Sequence, residues 1–174
     1  MRRVKLLVLL SAMSLAACAS SPAAPPLTAA APVADRAASE AAITRALDDF
    51  HDAAAKADEE RYFAHFASNG VFLGTDATER WDVAAFRAYA HPHFTKGKAW
   101  TMRATRRAIA LAADARTAWF DEDLATERLG PARGSGVLVV EGGAWKVAQY
   151  NLTVTVPNER FAEVRAVLEK PAAK

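Results

Sequence analysis

Residues 133–156 read RGSGVLVVEGGAWKVAQYNLTVTV, and this stretch decides the fold. Two β-rich runs, Arg133 to Glu141 and Ala144 to Val156, flank the pair Gly142-Gly143. A two-residue loop in which both positions accept positive φ closes a tight hairpin whose twist matches that of the strands. Working backwards, Trp100 to Ala110 and Arg116 to Thr126 alternate loosely between apolar and polar residues, the period of half-buried strands. Working forwards, Pro157 suits the first turn of a closing helix with Phe161, Val164 and Leu168 on one face.

Upstream of residue 95 the period becomes helical. Ser39 is placed to cap a first helix carrying Ile43, Leu47, Phe50 and Ala54. Asp58 is placed to cap a second, with Glu59 and Glu60 at the positive end of its dipole and Tyr62, Phe63 and Phe66 as its apolar face. Asn69-Gly70 ends that helix, and Val71-Phe72-Leu73 reads as a short strand. Asp82 caps a third helix with Phe86 and Tyr89, which His91-Pro92 is expected to stop. Helices first and an antiparallel meander afterwards predict an α+β domain over 39–169, with three N-terminal helices packed against one face of the sheet and a short helix at its C-terminal end. Residues 170–174 read as a tail.

The chain opens MRRVKLLVLLSAMSLAAC. Arg2, Arg3 and Lys5 precede an apolar core far shorter than the roughly 20 residues that span a bilayer, and small residues follow. Residues 1–17 therefore read as a cleaved export signal. Leu15-Ala16-Ala17-Cys18 is similar to the lipobox of bacterial lipoproteins, whose cysteine thiol takes the lipid before cleavage. Cys18 is the single cysteine, so no intramolecular disulfide is available. Residues 18–38 are rich in Ala, Pro and Ser and lack the apolar bulk for a core, the composition of a tether. The expected location is the cell envelope, lipid-anchored through Cys18. In a double-membraned host, Ala19 rather than Asp after the cysteine fits the outer membrane, facing the periplasm.

Charge narrows the partners. Cleavage after residue 17 removes three of the 22 basic residues and none of the 20 acidic ones, leaving 19 against 20 and a net charge near −1. Nucleic acid is not an expected partner, because that binding is dominated by phosphate neutralisation.

Several strings are fairly specific when taken in order: Gly74-Thr75-Asp76-Ala77-Thr78-Glu79-Arg80-Trp81, Lys98-Ala99-Trp100-Thr101, Ala118-Trp119-Phe120-Asp121-Glu122, Arg133-Gly134-Ser135-Gly136-Val137-Leu138, and Trp145-Lys146-Val147-Ala148-Gln149-Tyr150-Asn151-Leu152. Together they make the chain, over roughly residues 40–167, resemble the SnoaL-like branch of the nuclear transport factor 2-like superfamily. The resemblance implies a cone: a strongly curved antiparallel sheet wrapped around the helices, with a pocket at one end and homodimers formed through the sheet. It selects no activity, since the superfamily includes isomerases, dehydratases, cyclases and non-catalytic assembly domains.

The candidate pocket residues are Tyr62, Trp81, Trp100, Arg103, Trp119, Asp121, Arg133, Gln149 and Asn151. Alternation places Trp119, Asp121 and Asp123 on one face of a strand and Phe120, Glu122 and Leu124 on the other. A carboxylate facing an apolar cone has a raised pKa and suits a general base, and the related isomerases use an aspartate so, which makes Asp121 the candidate catalytic residue. Its structural alternative, and the favoured one, is that Asp121 or Glu122 pairs with an arginine such as Arg103 or Arg133. His91-Pro92-His93 offers two ligands without a third, so no metal is expected, and no cofactor motif is present. The leading expectation is an anchored domain that binds a small, partly apolar molecule. The alternatives are an isomerase or hydro-lyase using Asp121, and an assembly module.

Overall fold

The computed structural model describes residues 33–170. The expected signal peptide, Cys18, most of the tether and the end of the tail lie outside the described residues. The element order is α1 (Val33–Ala55), α2 (Glu59–Ala64), β1 (Phe66–Leu73), β2 (Arg80–Asp82), α3 (Val83–Phe94), β3 (Met102–Leu111), β4 (Thr117–Thr126), β5 (Ala132–Glu141), β6 (Ala144–Val154), a 3-10 turn (Asn158–Arg160) and α4 (Phe161–Leu168). The six strands form one sheet in the order β2-β1-β6-β5-β4-β3. Its inner face closes on α1, α2 and α3, as an α+β cone requires.

The hairpin forms as its glycines demand. Gly142 and Gly143 have φ of 59° and 80°, and Glu141 pairs with Ala144 across the two-residue turn. β4, β5 and β6 follow as an antiparallel meander, but β1 joins β6 in parallel, so the sheet is mixed rather than purely antiparallel. β1 is also longer than expected: it takes in Phe66 and runs through Asn69-Gly70 with an irregular register. Phe66 thus belongs to a strand, not to the face of α2. The short β2, which the sequence pattern does not mark, pairs with β1 and sets Trp81 opposite Phe72.

Caps and periodicity place the helices. Asp58 accepts from the Arg61 N–H at 3.2 Å and Asp82 from the Ala85 N–H at 2.8 Å, satisfying backbone donors that helix starts leave open. Ile43, Leu47, Phe50 and Ala54 of α1 are all buried. α1 begins at Val33, before Ser39, because the alanine-rich end of the expected tether favours helix and Arg36 Nη2 donates to the Leu111 carbonyl of β3 at 3.0 Å. α3 continues past Pro92 to Phe94. The missing N–H falls in the last turn, and burial of Phe94 against Tyr62, with ring centroids 5.3 Å apart, outweighs it. α4 forms, yet Phe161, Val167 and Leu168 on it stay exposed.

β5 lies close against β6 because its inner face carries glycine. A Cβ on Gly136 falls 1.9 Å from the Gln149 carbonyl oxygen, which is backbone and cannot swing aside. Gly136→Ala is therefore expected to lower unfolding free energy by about 1–3 kcal/mol, the usual cost of overpacking. Urea unfolding reads this as a lower midpoint at unchanged m-value.

Candidate functional site

Two features occupy the cone: a sealed charge cluster and an open aromatic cavity. The cluster is built on Glu122, the inner-face neighbour of Asp121 on β4, which is fully buried. Its Oε1 accepts from the Tyr150 hydroxyl of β6 at 2.9 Å and lies 2.6 Å from His51 Nε2 of α1. The carboxylate has no proton to give, so His51 Nε2 is assigned as the donor. Arg107 of β3 approaches side-on: Nε donates to Oε2 at 2.8 Å, while Nη2, also 2.8 Å away, has no well-aligned bond. Arg107 Nη1 reaches α1 at Asp48, 2.8 Å, and at the Thr44 carbonyl, 3.2 Å. Burial pushes the Glu122 carboxyl up, but the His51 hydrogen bond and the charges of His51 and Arg107 outweigh it, holding the group below its ordinary range. Burial, with the Glu122 charge beside it, pushes the Tyr150 hydroxyl well up.

The cavity opens at the other end of the cone, with a volume of about 640 Å³, inside the range of small-molecule sites. Each wall follows from local structure. β2 pairing sets Trp81 beside Phe72. Phe86, Tyr89 and His93 share one face of α3 at helical spacing and line the cavity. Trp100 and Met102 come from the segment entering β3, Leu152 from β6, and Glu127, Arg128 and Leu129 from the loop between β4 and β5. The rings lie nearly parallel: Trp81 and Tyr89 are 4.6 Å apart at 22°, and Phe72 and Phe86 4.0 Å apart at 12°. At the mouth Lys98 Nζ donates to Glu127 Oε2 at 2.9 Å.

Of the expected pocket residues, Trp81 and Trp100 line this cavity. Tyr62 lies beneath it, fully buried, with Trp100 edge-on at 5.5 Å between centroids; its hydroxyl makes no well-formed hydrogen bond among the described residues. The other candidates point away from it. Trp119, 53 % exposed, and Asp121 stand on the outer face of β4, and Arg103, Arg133 and Gln149 are exposed. Asn151, in register with outward Ser135, donates to Thr153 Oγ1 at 3.1 Å. Asp121 accepts from Arg106 at 2.7 Å, so a base acting on a molecule in the cavity from that carboxylate is ruled out by the sheet between them. An arginine does pair with Glu122, but it is Arg107 rather than Arg103 or Arg133; Arg133 binds Asp123 at 3.3 Å.

The signal that separates the faces was present in the sequence. On β4 the parity of Phe120 and Leu124 carries two bulky apolar residues against Trp119 alone on the other, and on β6 Tyr150 and Leu152 share a parity, so the inner face is marked by majority rather than by every residue. His51 and Arg107 carry no such mark, and their convergence with Glu122 and Tyr150 depends on bringing α1, β3, β4 and β6 together. Among the described residues no group of three or more His, Cys, Asp or Glu side chains converges to hold a metal ion.

With this geometry in place, the relation to known proteins is direct. A family model for the SnoaL-like domain matches residues 43–157. The chain belongs to the SnoaL-like family. The fold of this SnoaL-like chain is shared with a protein of unknown function from Mycobacterium tuberculosis, at 16 % identity and a TM-score of 0.64, covering 76 % of this chain and 80 % of the other. A nuclear transport factor 2-like protein of unknown function from Pseudomonas putida has 14 % identity and a TM-score of 0.59, covering 71 % and 91 %. A protein described as a putative scytalone dehydratase, from Novosphingobium aromaticivorans, has 12 % identity and a TM-score of 0.61, covering 72 % and 89 %. No curated protein matches the sequence.

The charge cluster is testable by itself. Replacing Glu122 by Gln removes the charge that answers buried Arg107, and is expected to cost about 3 kcal/mol. Because the folded-state pKa of Glu122 is depressed, its contribution is complete above the ordinary value of 4.5 and is lost as pH falls through the lower folded value. Urea unfolding of wild type and Glu122→Gln should thus differ fully at pH 7 and converge below pH 4.5.

Proposed function

We propose that this chain is an exported, lipid-anchored envelope protein whose SnoaL-like domain binds a small, planar and largely apolar molecule. The observation that carries the reading is the cavity of about 640 Å³ walled by the faces and edges of Phe72, Trp81, Phe86, Tyr89 and Trp100. Stacked rings present flat apolar surface, and aromatic contacts contribute beyond the area they bury. Indole N–H groups and the mouth residues supply directional contacts, so a ligand binds in one orientation.

Turnover by Asp121 is not part of this proposal, because that carboxylate lies outside the cone. Anchoring rests on the signal sequence and Cys18, and among the described residues no helix is long and apolar enough to cross a membrane. A homodimer through the outer face of the sheet belongs to the same reading: half-exposed Trp119 stands there in register with Val137.

Titration with planar aromatic probes, followed by tryptophan fluorescence, tests the pocket. Trp100→Ala is expected to weaken binding about tenfold or more, the loss of most of one aromatic contact. Trp119→Ala, on the far side of the sheet, should leave it unchanged; equal effects would place the probe elsewhere. In the native host, Cys18→Ser should move the protein from the membrane fraction to the soluble one. Retention in the membrane would contradict the lipid anchor.

A further inference from the structure

The chemistry of the cavity mouth says more about the ligand than the walls do. Besides the Tyr89 phenol of the wall, five side chains that carry or can carry charge near neutral pH line it: Glu79, His93, Lys98, Glu127 and Arg128. Of the two carboxylates, Glu127 is paired with a cation, while Glu79 is turned back onto its own loop and accepts a single backbone bond. Glu79 Oε2 turns back over Gly74, where a Cβ would fall 2.2 Å away, and accepts from the Asp76 N–H at 3.2 Å. Glu127 accepts from Lys98 and sits beside Arg128, and its carboxyl is held below its ordinary range by the Lys98 hydrogen bond and the charges around it. Among the described residues Lys98 is therefore the one cation bonded to Glu127, and Arg128 lies near that carboxylate without bonding it.

Donors, by contrast, are in surplus. Arg128 has no ion-pair partner among the described residues, and Lys98 spends one donor on Glu127. The His93 ring, half-buried between Tyr89 and Trp100 with centroids 5.7 and 6.4 Å away, has no side-chain hydrogen bond among the described residues. A ligand supplying only donors would compete with these groups; one supplying acceptors would complete them. A guanidinium with its fork free suits a planar carboxylate best.

From this the geometry points to a ligand of defined class: a planar apolar body with one anionic, carboxylate-like end, the body lying against the rings and the anion held at the mouth by Arg128, Lys98 and His93. The inference rests on the binding function proposed above and adds the charge of the ligand to it.

Three probes with one naphthalene body separate the possibilities: the carboxylate, the neutral carboxamide and a trimethylammonium derivative. Each is titrated by calorimetry into the full chain in nanodiscs, with the heat of empty nanodiscs subtracted. The carboxylate is expected to bind at least about tenfold tighter than the other two, the effect of a single charge-assisted hydrogen bond. Its advantage should shrink as salt rises, because Lys98 and Arg128 are exposed. Arg128→Gln should narrow the ratio of carboxylate to carboxamide affinity to within about threefold, while Arg116→Gln, away from the cavity, leaves that ratio as in wild type. Equal affinities for carboxylate and carboxamide, or tightest binding of the ammonium probe, would overturn the anionic assignment and leave the pocket standing. Failure of all three probes to bind would overturn the pocket as well.

Discussion

Glu122 is a charge in a place where charge is costly, and much of the domain is arranged around it. Moving a carboxylate out of water costs several kcal/mol unless partners replace its hydration. Here the partners come from three elements: His51 from α1, Arg107 from β3 and Tyr150 from β6. Arg107 extends the link to Asp48 and the Thr44 carbonyl, so α1 is tied across the sheet at two levels. Gly134 permits this: a Cβ there would lie 2.2 Å from the Tyr150 hydroxyl that reaches the carboxylate. Burial, charge and the absence of a side chain on β5 thus belong to one device.

That device also decides where the cavity lies. The part of the cone around Glu122 is filled, and from its partner Tyr150 a run of nearly parallel rings leads outwards. Tyr150 and Phe72 are inclined by 3°, Phe72 and Phe86 by 12°, Phe86 and Trp81 by 18°, and Trp81 and Tyr89 by 22°. The inner rings are core, while the outer ones stand in the cavity wall. The wall is therefore continuous with the best-packed part of the molecule, which keeps a binding surface pre-formed and limits the ordering cost of binding.

The sequence carried the architecture well because its strongest signals were local. The Gly142-Gly143 turn, the caps at Asp58 and Asp82 and the apolar spacing of α1 each act within a few residues, and each forms. The features without a local signal depend on distant partners. β2 is too short to show a period and exists through its pairing with β1, and the parallel contact of β1 with β6 has no local mark. A local rule makes Pro92 a helix stop, and the burial of Phe94 overrides it. For the site, Trp81 and Trp100 were legible as aromatic residues near loops. Asp121 drew attention as a carboxylate on a strand, but the neighbouring parity, with Phe120, Glu122 and Leu124, is the one that faces inwards. His93 stands out in the sequence only as part of His91-Pro92-His93, Lys98 only as part of Lys98-Ala99-Trp100-Thr101, and Arg128 not at all, since only the fold brings α3, the segment before β3 and the β4–β5 loop to one mouth.

The four tryptophans provide the most direct measurement. Trp81 and Trp100 line the cavity, Trp119 is on the outer sheet face, and Trp145 is the second residue of β6, close to the Gly142-Gly143 turn. Each indole N–H gives its own signal in a proton–nitrogen NMR spectrum, assigned by single Trp→Phe variants. On adding a planar aromatic carboxylate, the Trp81 and Trp100 signals should shift while those of Trp119 and Trp145 stay in place. A shift confined to Trp119, or none at any of the four, would contradict a binding site in the cone.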